Sequence, residues 1–442
     1  MTDCTLSKIE FPRCRGRRVA ADFGGGDISS NGGALLLSAA DRRLGLLSGL
    51  ARRLVDARQA GKVEHKLLPL LRQRVYAVAL GYEDVNDHDD LRDDLVLQTA
   101  CGRAERLASA STLGRLDRAA DRQWAWAAQV SMVETFIASF EVAPEELVLD
   151  FDATDDAVHG CQVGRFFHGY YDCYCFLPLY VFCGDHLLVS YLRPSNIDGA
   201  KHAWAILKLL VGRLRQAWPN VRIILRADSG FCRHRMLSWC ERHGVGYIVG
   251  LAKNARLNDL AGPSLAEAKA AWEDSGEKQR RFADLRYGAK SWKKQRRVIA
   301  RLEHGPPRGA KGGANPRYVV TNLEGDGQEL YEQLYCARGE MENRIKECQL
   351  DLLADRTSCH KWWPNQFRLM IASLAYSLIE AIRRLALKDT EMARAQAGTI
   401  RLKLLKIGAV VIRNTRRVCL HLSTACPDKA LFHLAAAKLK PG

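Results

Sequence analysis

"LVLDFDATDD", residues 147–156, sets four aspartates within seven positions directly after a run of aliphatic residues. The aliphatic part reads as a β-strand, and the strand's carboxyl end is acidic. On a strand, Asp150 and Asp152 share one face while Phe151 takes the other. Carboxylates repel one another and are costly to bury. Two readings follow. Either the stretch is an acidic turn in water, or its charge has a partner outside the chain, such as a metal ion. Asp152, at the strand's end, is the candidate ligand; Asp150 stands behind it, and Asp155 and Asp156 fall in the turn that follows.

Downstream, "YDCYCFLPLYVFCGDHLLVSYLRP" holds two apolar runs joined by Gly184-Asp185-His186, a hairpin signal. "GAKHAWAILKLLVGRLRQAW" is an amphipathic helix, "VRIILRADSGF" a strand ending at Asp228, "CRHRMLSWCERHG" a short helix and "VGYIVGLAKN" another strand. Three strands, helix, strand, helix, strand is a mixed α/β pattern. It differs from a doubly wound nucleotide fold. Residues 146–254 therefore read as the first part of a core. Residues 255–325 interrupt it with turn residues, the basic run "KSWKKQRRVIARLEH", the loop "GPPRGAKGGANP" and the strand "RYVVTNL", and read as a β-rich insertion. Between 278 and 301 this insertion carries ten Lys or Arg against one acid, Asp284. Helical periodicity returns over 326–390, the second part of the core, and 391–442 forms a basic C-terminal region.

Upstream, residues 1–60 hold a basic arm (Arg13, Arg15, Arg17, Arg18) and the glycine-rich bend "FGGGDISSNGGALLL", followed by a helix. No Gly-Lys-Ser/Thr follows the glycines, which excludes a Walker loop. Residues 61–145 read as helical: "HKLLPLLRQRVYAVALGY" repeats apolar residues at three- and four-residue spacing, "NDHDDLRDD" is rich in caps, and "LASASTLGRLDRAA" starts a basic amphipathic helix. That periodicity fits a DNA-binding module containing a helix-turn-helix and fits a plain helical support equally well.

The chain has 442 residues, 47% of them hydrophobic, which suits two or three domains with a real core. No apolar run approaches the ~20 residues of a membrane span, and the first 23 residues lack the apolar middle of a signal peptide. The expectation is a soluble, cytoplasmic protein without a membrane partner. Its 14 cysteines contain no C-x-x-C pair, so structural thiols are expected, not a zinc site. Lys and Arg exceed Asp and Glu by 66 − 50 = 16, spread along the chain. Such a field attracts polyanions, with nucleic acid the first expectation.

Three carboxylates in three contexts now stand out: Asp152 after one strand, Asp228 after another, and Glu342 within the helix "YCARGEMENRIKE". Hard cations such as Mg2+ take carboxylate oxygens. Two such ions about 3.5–4 Å apart serve phosphoryl transfer. At about 100° per residue, Tyr335, Arg338, Glu342, Lys346 and Gln349 fall on one narrow helical face. A core-facing helix would not line up these residues, and a solvated Arg338–Glu342 pair leaves Tyr335 unexplained.

In this order, "DATD", "RADSG" and Tyr335-x2-Arg338-x3-Glu342 resemble the DDE transposases of bacterial insertion sequences. The closest likeness is to the subgroup with a β-strand insertion between the second Asp and the Glu and a Tyr-Arg-Glu-Lys helix. "GYEDVNDHDDLRDD", "LASASTLGRL", "FFHGYYDCYCFLPLYVFCGDHLL", "ENRIKECQLDLLADRTS" and "IRLKLLKIGA" are similar to blocks of the same family. The resemblance implies an α/β, RNase H-like mixed-sheet catalytic core with a β-rich insertion, an N-terminal helical DNA-binding region and C-terminal helices. It implies that Asp152, Asp228 and Glu342 are catalytic and bind two Mg2+ ions, with Mn2+ able to substitute. Tyr335 and Arg338 would contact DNA phosphate. The family's lysine falls at Gln349 in this sequence, and Lys346 lies on the same face. Trp292 is the candidate for stacking on a flipped base, with ordinary packing as the alternative. Lys293, Lys294, Arg296 and Arg297 in the same basic run are expected DNA contacts.

The function implied is cut-and-paste transposition: a homodimer on double-stranded DNA cutting at terminal inverted repeats and joining the freed 3′-hydroxyl to target DNA, in a bacterial, nucleoid-associated setting. A structure-selective nuclease with the same core and a catalytically silent DNA-binding repressor are the alternatives.

Overall fold

The strand expected at 147–152 forms as Glu146–Ala153 (β1), at the centre of an eight-stranded sheet. The computed structural model describes residues 8–306 and 313–440; residues 307–312, within the loop "GPPRGAKGGANP", lie outside the described residues. The chain divides into two compact units. One comprises Ala120–Leu350 with Ala354–Ser373, the other Met1–Ala119, Asp351–Leu353 and Leu374–Gly442.

The first of these units begins with helix α1 (Arg122–Ala138) before β1. After β1 come three short strands, β2 (Asp156–Ala157), β3 (Phe166–His168) and β4 (Cys173–Phe176), which form a separate small sheet in the order β2-β4-β3. The expected hairpin follows as β5 (Leu179–Cys183) and β6 (His186–Tyr191), turning at Gly184, whose φ is +56°. Glycine carries that left-handed conformation without steric penalty. Next are helix α2 (Ala203–Ala217), strand β7 (Arg222–Ala227), helix α3 (His234–Arg242) and strand β8 (Gly246–Leu251). The segment expected to be β-rich opens with a 21-residue helix, α4 (Ala255–Ser275), capped by the Asn254 side chain on the Leu257 N–H. Its apolar Leu257, Ala261 and Ala268 are buried, a spacing of four and seven that turn-forming neighbours (Gly262-Pro263-Ser264) obscure in the sequence. Strands β9 (Gln279–Tyr287), β10 (Arg296–His304) and β11 (Ala314–Thr321) complete the segment.

The large sheet runs β9-β10-β11-β8-β7-β1-β5-β6. Its centre, β1, β7 and β8, is parallel; both flanks are antiparallel. The insertion strands therefore extend the core sheet. Alternation along the strands gives the sheet two faces. Leu147, Leu149 and Phe151, with Ile223, Leu225 and Ala227, face a core shared with Val133 and Phe136 of α1, Leu207 and Val211 of α2 and Leu237 of α3. On the other face Ile224, Ile248, Ile299 and Val319 pack with Leu330, Tyr331, Leu334 and Tyr335. These last residues belong to a helical stretch of unequal winding: a wide turn at Leu330–Tyr335, a tight one at Cys336–Arg338, an α-helix α5 (Gly339–Lys346) and a second wide turn at Glu347–Asp351.

The other unit is mainly helical. Helices Ala34–Leu44 and Leu46–Arg53 follow the glycine-rich bend, and Leu67–Ala79, Leu95–Cys101 and Ala110–Ala119 lie in the region read as helical. Asp94 caps Leu95–Cys101 by accepting the Leu97 N–H at 2.9 Å. The basic arm forms an exposed hairpin, Ile9–Cys14 with Arg17–Ala21. The glycine-rich bend is held by close approach. The Gly32 and Gly33 N–H groups donate to Ile407 and Leu405 at 2.8 and 3.1 Å, and a Cβ on Gly33 would stand 1.9 Å from the Leu404 carbonyl oxygen. Among the described residues, no helix is long and apolar enough to cross a membrane.

Candidate active site

The face of the sheet that packs on the helical stretch turns from apolar to charged toward the strands' carboxyl ends. Along β1 it reads Val148, Asp150, Asp152; along β7 and just beyond, Ile224, Arg226, Asp228; along β8, Ile248, Gly250. The strands are parallel, so these ends lie together. Asp150 pairs in register with Arg226, one step before the ends.

That pair is buried. Arg226 Nε donates to Asp150 Oδ1 at 2.5 Å and Nη2 to Oδ2 at 2.6 Å, while Nη1 donates to the Leu334 carbonyl at 2.5 Å. One guanidinium thus ties β1, β7 and the helical stretch together, one residue before Tyr335. Burial pushes the Asp150 carboxyl up, against the pull of Arg226.

Asp152 and Glu342 meet through Arg338. Arg338 Nη1 donates to Asp152 Oδ2 at 3.2 Å, and Nη2 donates to Glu342 Oε1 one helical turn on. The backbone N–H of Ala153 donates to Asp152 Oδ1 at 2.9 Å. Burial pushes the Asp152 carboxyl up to about 6; Arg338 opposes this, and the charges of Asp228 and Glu342 add to it. Asp228 ends β7 and accepts the Gly230 N–H at 2.9 Å, capping a single tight turn. The Tyr335 hydroxyl lies beside it: a Cβ built on Gly250 would stand 2.7 Å from both that hydroxyl and the Ser229 nitrogen, and 3.0 Å from the Asp228 carbonyl carbon. Burial pushes Tyr335 up to about 12; Arg338 opposes this, and Asp228 adds to it. Arg338 is raised, because Asp152, Glu342 and Asp228 outweigh its burial. The three acids, Tyr335 and Arg338 are therefore within electrostatic reach of one another.

Three oxygen-only donors suit a hard divalent cation, and the burial cost on charged Asp152 is what a cation would offset. In the geometry described, the guanidinium of Arg338 bridges Asp152 and Glu342. Among the described residues no three His, Cys, Asp or Glu side chains lie close enough to hold a metal ion. The donor chemistry of the three acids fits such an ion, and Arg338 supplies the positive charge to two of them here.

The remaining residues expected at the site part company. Lys346 is exposed on α5. Gln349 turns back: its Nε2 donates to the Asp155 carbonyl at 2.9 Å, fastening the turn after β1. Uniform helical phase put both on one face with Glu342. Glu342 and Lys346 lie one turn apart on the regular α5 and keep that face, whereas Gln349 falls in the wide turn Glu347–Asp351, which breaks it; wide turns of this kind are frequent at functional sites. In the basic run, Trp292 packs edge-on against Tyr287 at 5.6 Å, and the Arg296 guanidinium lies 4.8 Å from its ring centre. Arg296 is buried and gives Nε and Nη2 to Glu241 at 2.7 and 3.2 Å and Nη2 to Ser238 at 3.0 Å. Arg297 spends its donors on Asp284, Leu323 and Gly325. Lys293 and Lys294 are exposed, with Lys294 3.2 Å from Glu241. Sequence reasoning missed Arg226 and Gly250. Position was the available signal: Arg226 precedes Asp228 by two, as Asp150 precedes Asp152.

The comparison with curated proteins finds no match. Among solved structures, the chain is similar to a piggyBac transposase synaptic complex with hairpin DNA, at 12% identity and a TM-score of 0.40, over 84% of this chain and 78% of that one. The model of the Transposase DDE domain group 1 family matches residues 11–441, nearly the whole chain, and this protein belongs to that family of DNA-cutting and transposing enzymes.

Proposed function

We propose that the protein moves an insertion sequence by cut-and-paste transposition. A homodimer grips double-stranded DNA at terminal inverted repeats, cuts there and joins the freed 3′-hydroxyl to target DNA. The observation that carries this reading is the meeting of Asp152 and Glu342 on Arg338 beside Asp228 and Tyr335. The parallel β1, β7 and β8 with the antiparallel β5–β6 hairpin support an RNase H-like core. On this reading Asp152, Asp228 and Glu342 hold two Mg2+ ions, or Mn2+ in their place. Bound there, the cations supply positive charge to the attacking and leaving oxygens of an in-line phosphoryl transfer.

The chain's own residues do the rest. Arg338 exchanges a carboxylate for a DNA phosphate, whose paired oxygens suit its planar fork. Tyr335 directs its hydroxyl to the same phosphate and, being held in its neutral form, donates a hydrogen bond there. Lys346, Lys293 and Lys294 bind backbone phosphate as exposed cations, and the basic helical unit holds the repeats.

The test is strand cleavage by Asp152→Asn, Asp228→Asn and Glu342→Gln. Each should abolish Mg2+-dependent cutting of repeat-end duplex while leaving its binding within about threefold of wild type. Full cutting by any one removes that residue from the site. Cutting without joining by the wild-type protein would favour a structure-selective nuclease, and metal-independent binding with no cutting a repressor.

A further inference from the structure

Five Phe or Tyr residues lie within 166–174, "FFHGYYDCY". Three are exposed by about half or more: Phe167 at 53%, Tyr170 at 85% and Tyr174 at 49%. Burying such rings is the usual outcome for aromatic side chains, so their exposure asks for a partner. They are not loosely placed. Phe167 and Tyr174 are cross-strand partners in the β3–β4 pair, their rings edge to face at 5.6 Å, and Arg165 covers the Tyr174 ring at 4.5 Å. At the hairpin tip, Tyr170 packs on Tyr171 at 5.0 Å, and Tyr171 on His168 at 4.9 Å. Asp172, at φ +54°, closes the turn, and its N–H donates to the His168 carbonyl at 2.9 Å.

The base of this hairpin is anchored. Trp362 stacks edge-on against Phe176 at 5.3 Å and leaves room only for hydrogen at Gly164, where a Cβ would stand 2.6 Å from its ring. Val163 N–H donates to the His360 carbonyl at 2.9 Å. Placement matters most. Asp156 pairs with Phe176 and Ala157 with Cys175, so the small sheet begins four residues after Asp152. At about 3.3 Å per residue of strand, those four residues span at most roughly 13 Å, so the base of the small sheet lies within that reach of Asp152. The turn between is clamped to the helical stretch by Gln349 on Asp155.

We infer that the β3–β4 hairpin is a stacking platform for unpaired DNA bases beside the cut. This rests on the proposed function and names an added contact within it. Exposed rings with accessible faces and edges, one backed by a guanidinium, match what single-stranded nucleic acid binding needs: flat π surfaces for bases and positive charge for backbone. The whole chain's excess of 16 positive charges suits the same polyanion. Four of the five exposed large apolar residues in this segment, Phe166, Phe167, Tyr170 and Tyr174 beside Val163, are aromatic. Trp292, the stacking candidate from the sequence, is partly buried and packs against the core, whereas Phe167, Tyr170 and Tyr174 of the hairpin are exposed.

The test uses the full chain and three variants: Tyr170→Ala, Phe167→Ala/Tyr174→Ala, and Asp152→Asn as a catalytic control. The probes are a 15-nucleotide oligothymidine with a central 2-aminopurine, and a fully paired 30-base-pair duplex. Wild type and Asp152→Asn should bind the single strand and quench the fluorophore alike. The double variant should bind the single strand about tenfold more weakly, since stacking contributes about 1–3 kcal/mol per base, while duplex binding changes less than twofold. Equal single-strand affinity in wild type and double variant overturns the inference. So does an equal loss on both probes, which would mark a general charge effect, and so does a shift in sedimentation from dimer to monomer, which would mark the hairpin as a contact between copies. Cutting by Asp152→Asn would strike the proposed function and leave this inference standing on its binding data.

Discussion

Arg226 and Asp150 form a two-pronged ion pair beneath the carboxylates, with Nε–Oδ1 at 2.5 Å and Nη2–Oδ2 at 2.6 Å, on adjacent parallel strands. The third guanidinium donor holds the Leu334 carbonyl. The pair therefore positions three elements at once, without touching the reacting atoms. Removing one member of a buried pair leaves the other's charge uncompensated, which costs about 3–5 kcal/mol. Arg226→Met should lower unfolding free energy by that order in urea titration. Adding Asp150→Leu to it should restore a large part of the stability but not cleavage, because the Leu334 carbonyl still lacks its donor. Restored cleavage in the double variant would show that the pair is structural only.

Gly250 is small because Tyr335 needs the room. A Cβ at that position meets a backbone nitrogen at 2.7 Å, which has no free end to swing away. Gly250→Ala should cost about 1–3 kcal/mol as overpacking and shift Tyr335 or the Asp228 turn. Displacements of about 1 Å at a reacting centre can reduce rates about a hundredfold. Single-turnover cleavage measures this; a rate within a factor of three of wild type would mean the hydroxyl has no positional role.

The basic run of the insertion should split into two classes. Arg296 is buried on Glu241, so Arg296→Ala should destabilise the fold by about 3 kcal/mol. Lys293 is exposed, so Lys293→Ala should leave stability unchanged and reduce the slope of log affinity against log salt by about 1. Thermal melts and binding isotherms at three salt concentrations separate the two. Equal behaviour of both variants would refute the split.

His88 makes the helical unit sensitive to acid. It is fully buried, with Gln73 Nε2 at 3.1 Å and Arg74 Nη1 at 3.4 Å from its ring nitrogens. Burial, and then Arg74, holds its pKa well below the ordinary 6.5. The unfolded chain therefore binds a proton that the folded chain refuses. The stability this group contributes is present above about pH 6.5 and is lost as pH falls below it. Denaturation midpoints between pH 8 and pH 5 should fall more steeply for wild type than for His88→Asn. Parallel curves would show that His88 accepts its proton in the folded state.

Much of this architecture is legible in the residues because local pattern and tertiary demand coincide there. The alternation at 147–152, the Gly184 turn and the amphipathic 203–217 helix each bury their apolar side as written. Reading fails where packing decides. Helix Ala255–Ser275 hides behind Gly262-Pro263-Ser264, since turn residues lower local propensity while three buried side chains fix the outcome. The face shared by Tyr335 to Gln349 assumed one helical pitch; the regular α5 keeps it from Glu342 to Lys346, and the wide turn at Glu347–Asp351 changes it at Gln349. Charge counting marked 278–301 as a basic surface. It could not reveal that Arg296 and Arg297 spend their charge on Glu241 and Asp284, because ion pairing joins residues far apart in the chain.

The most direct test is anomalous scattering from crystals of the protein with a repeat-end duplex soaked in Mn2+. The expected result is manganese between the carboxylates of Asp152, Asp228 and Glu342, with Arg338 turned from its bridge onto a DNA phosphate. Manganese elsewhere, with Arg338 still joining Asp152 to Glu342 in crystals that cleave their DNA, would contradict the account.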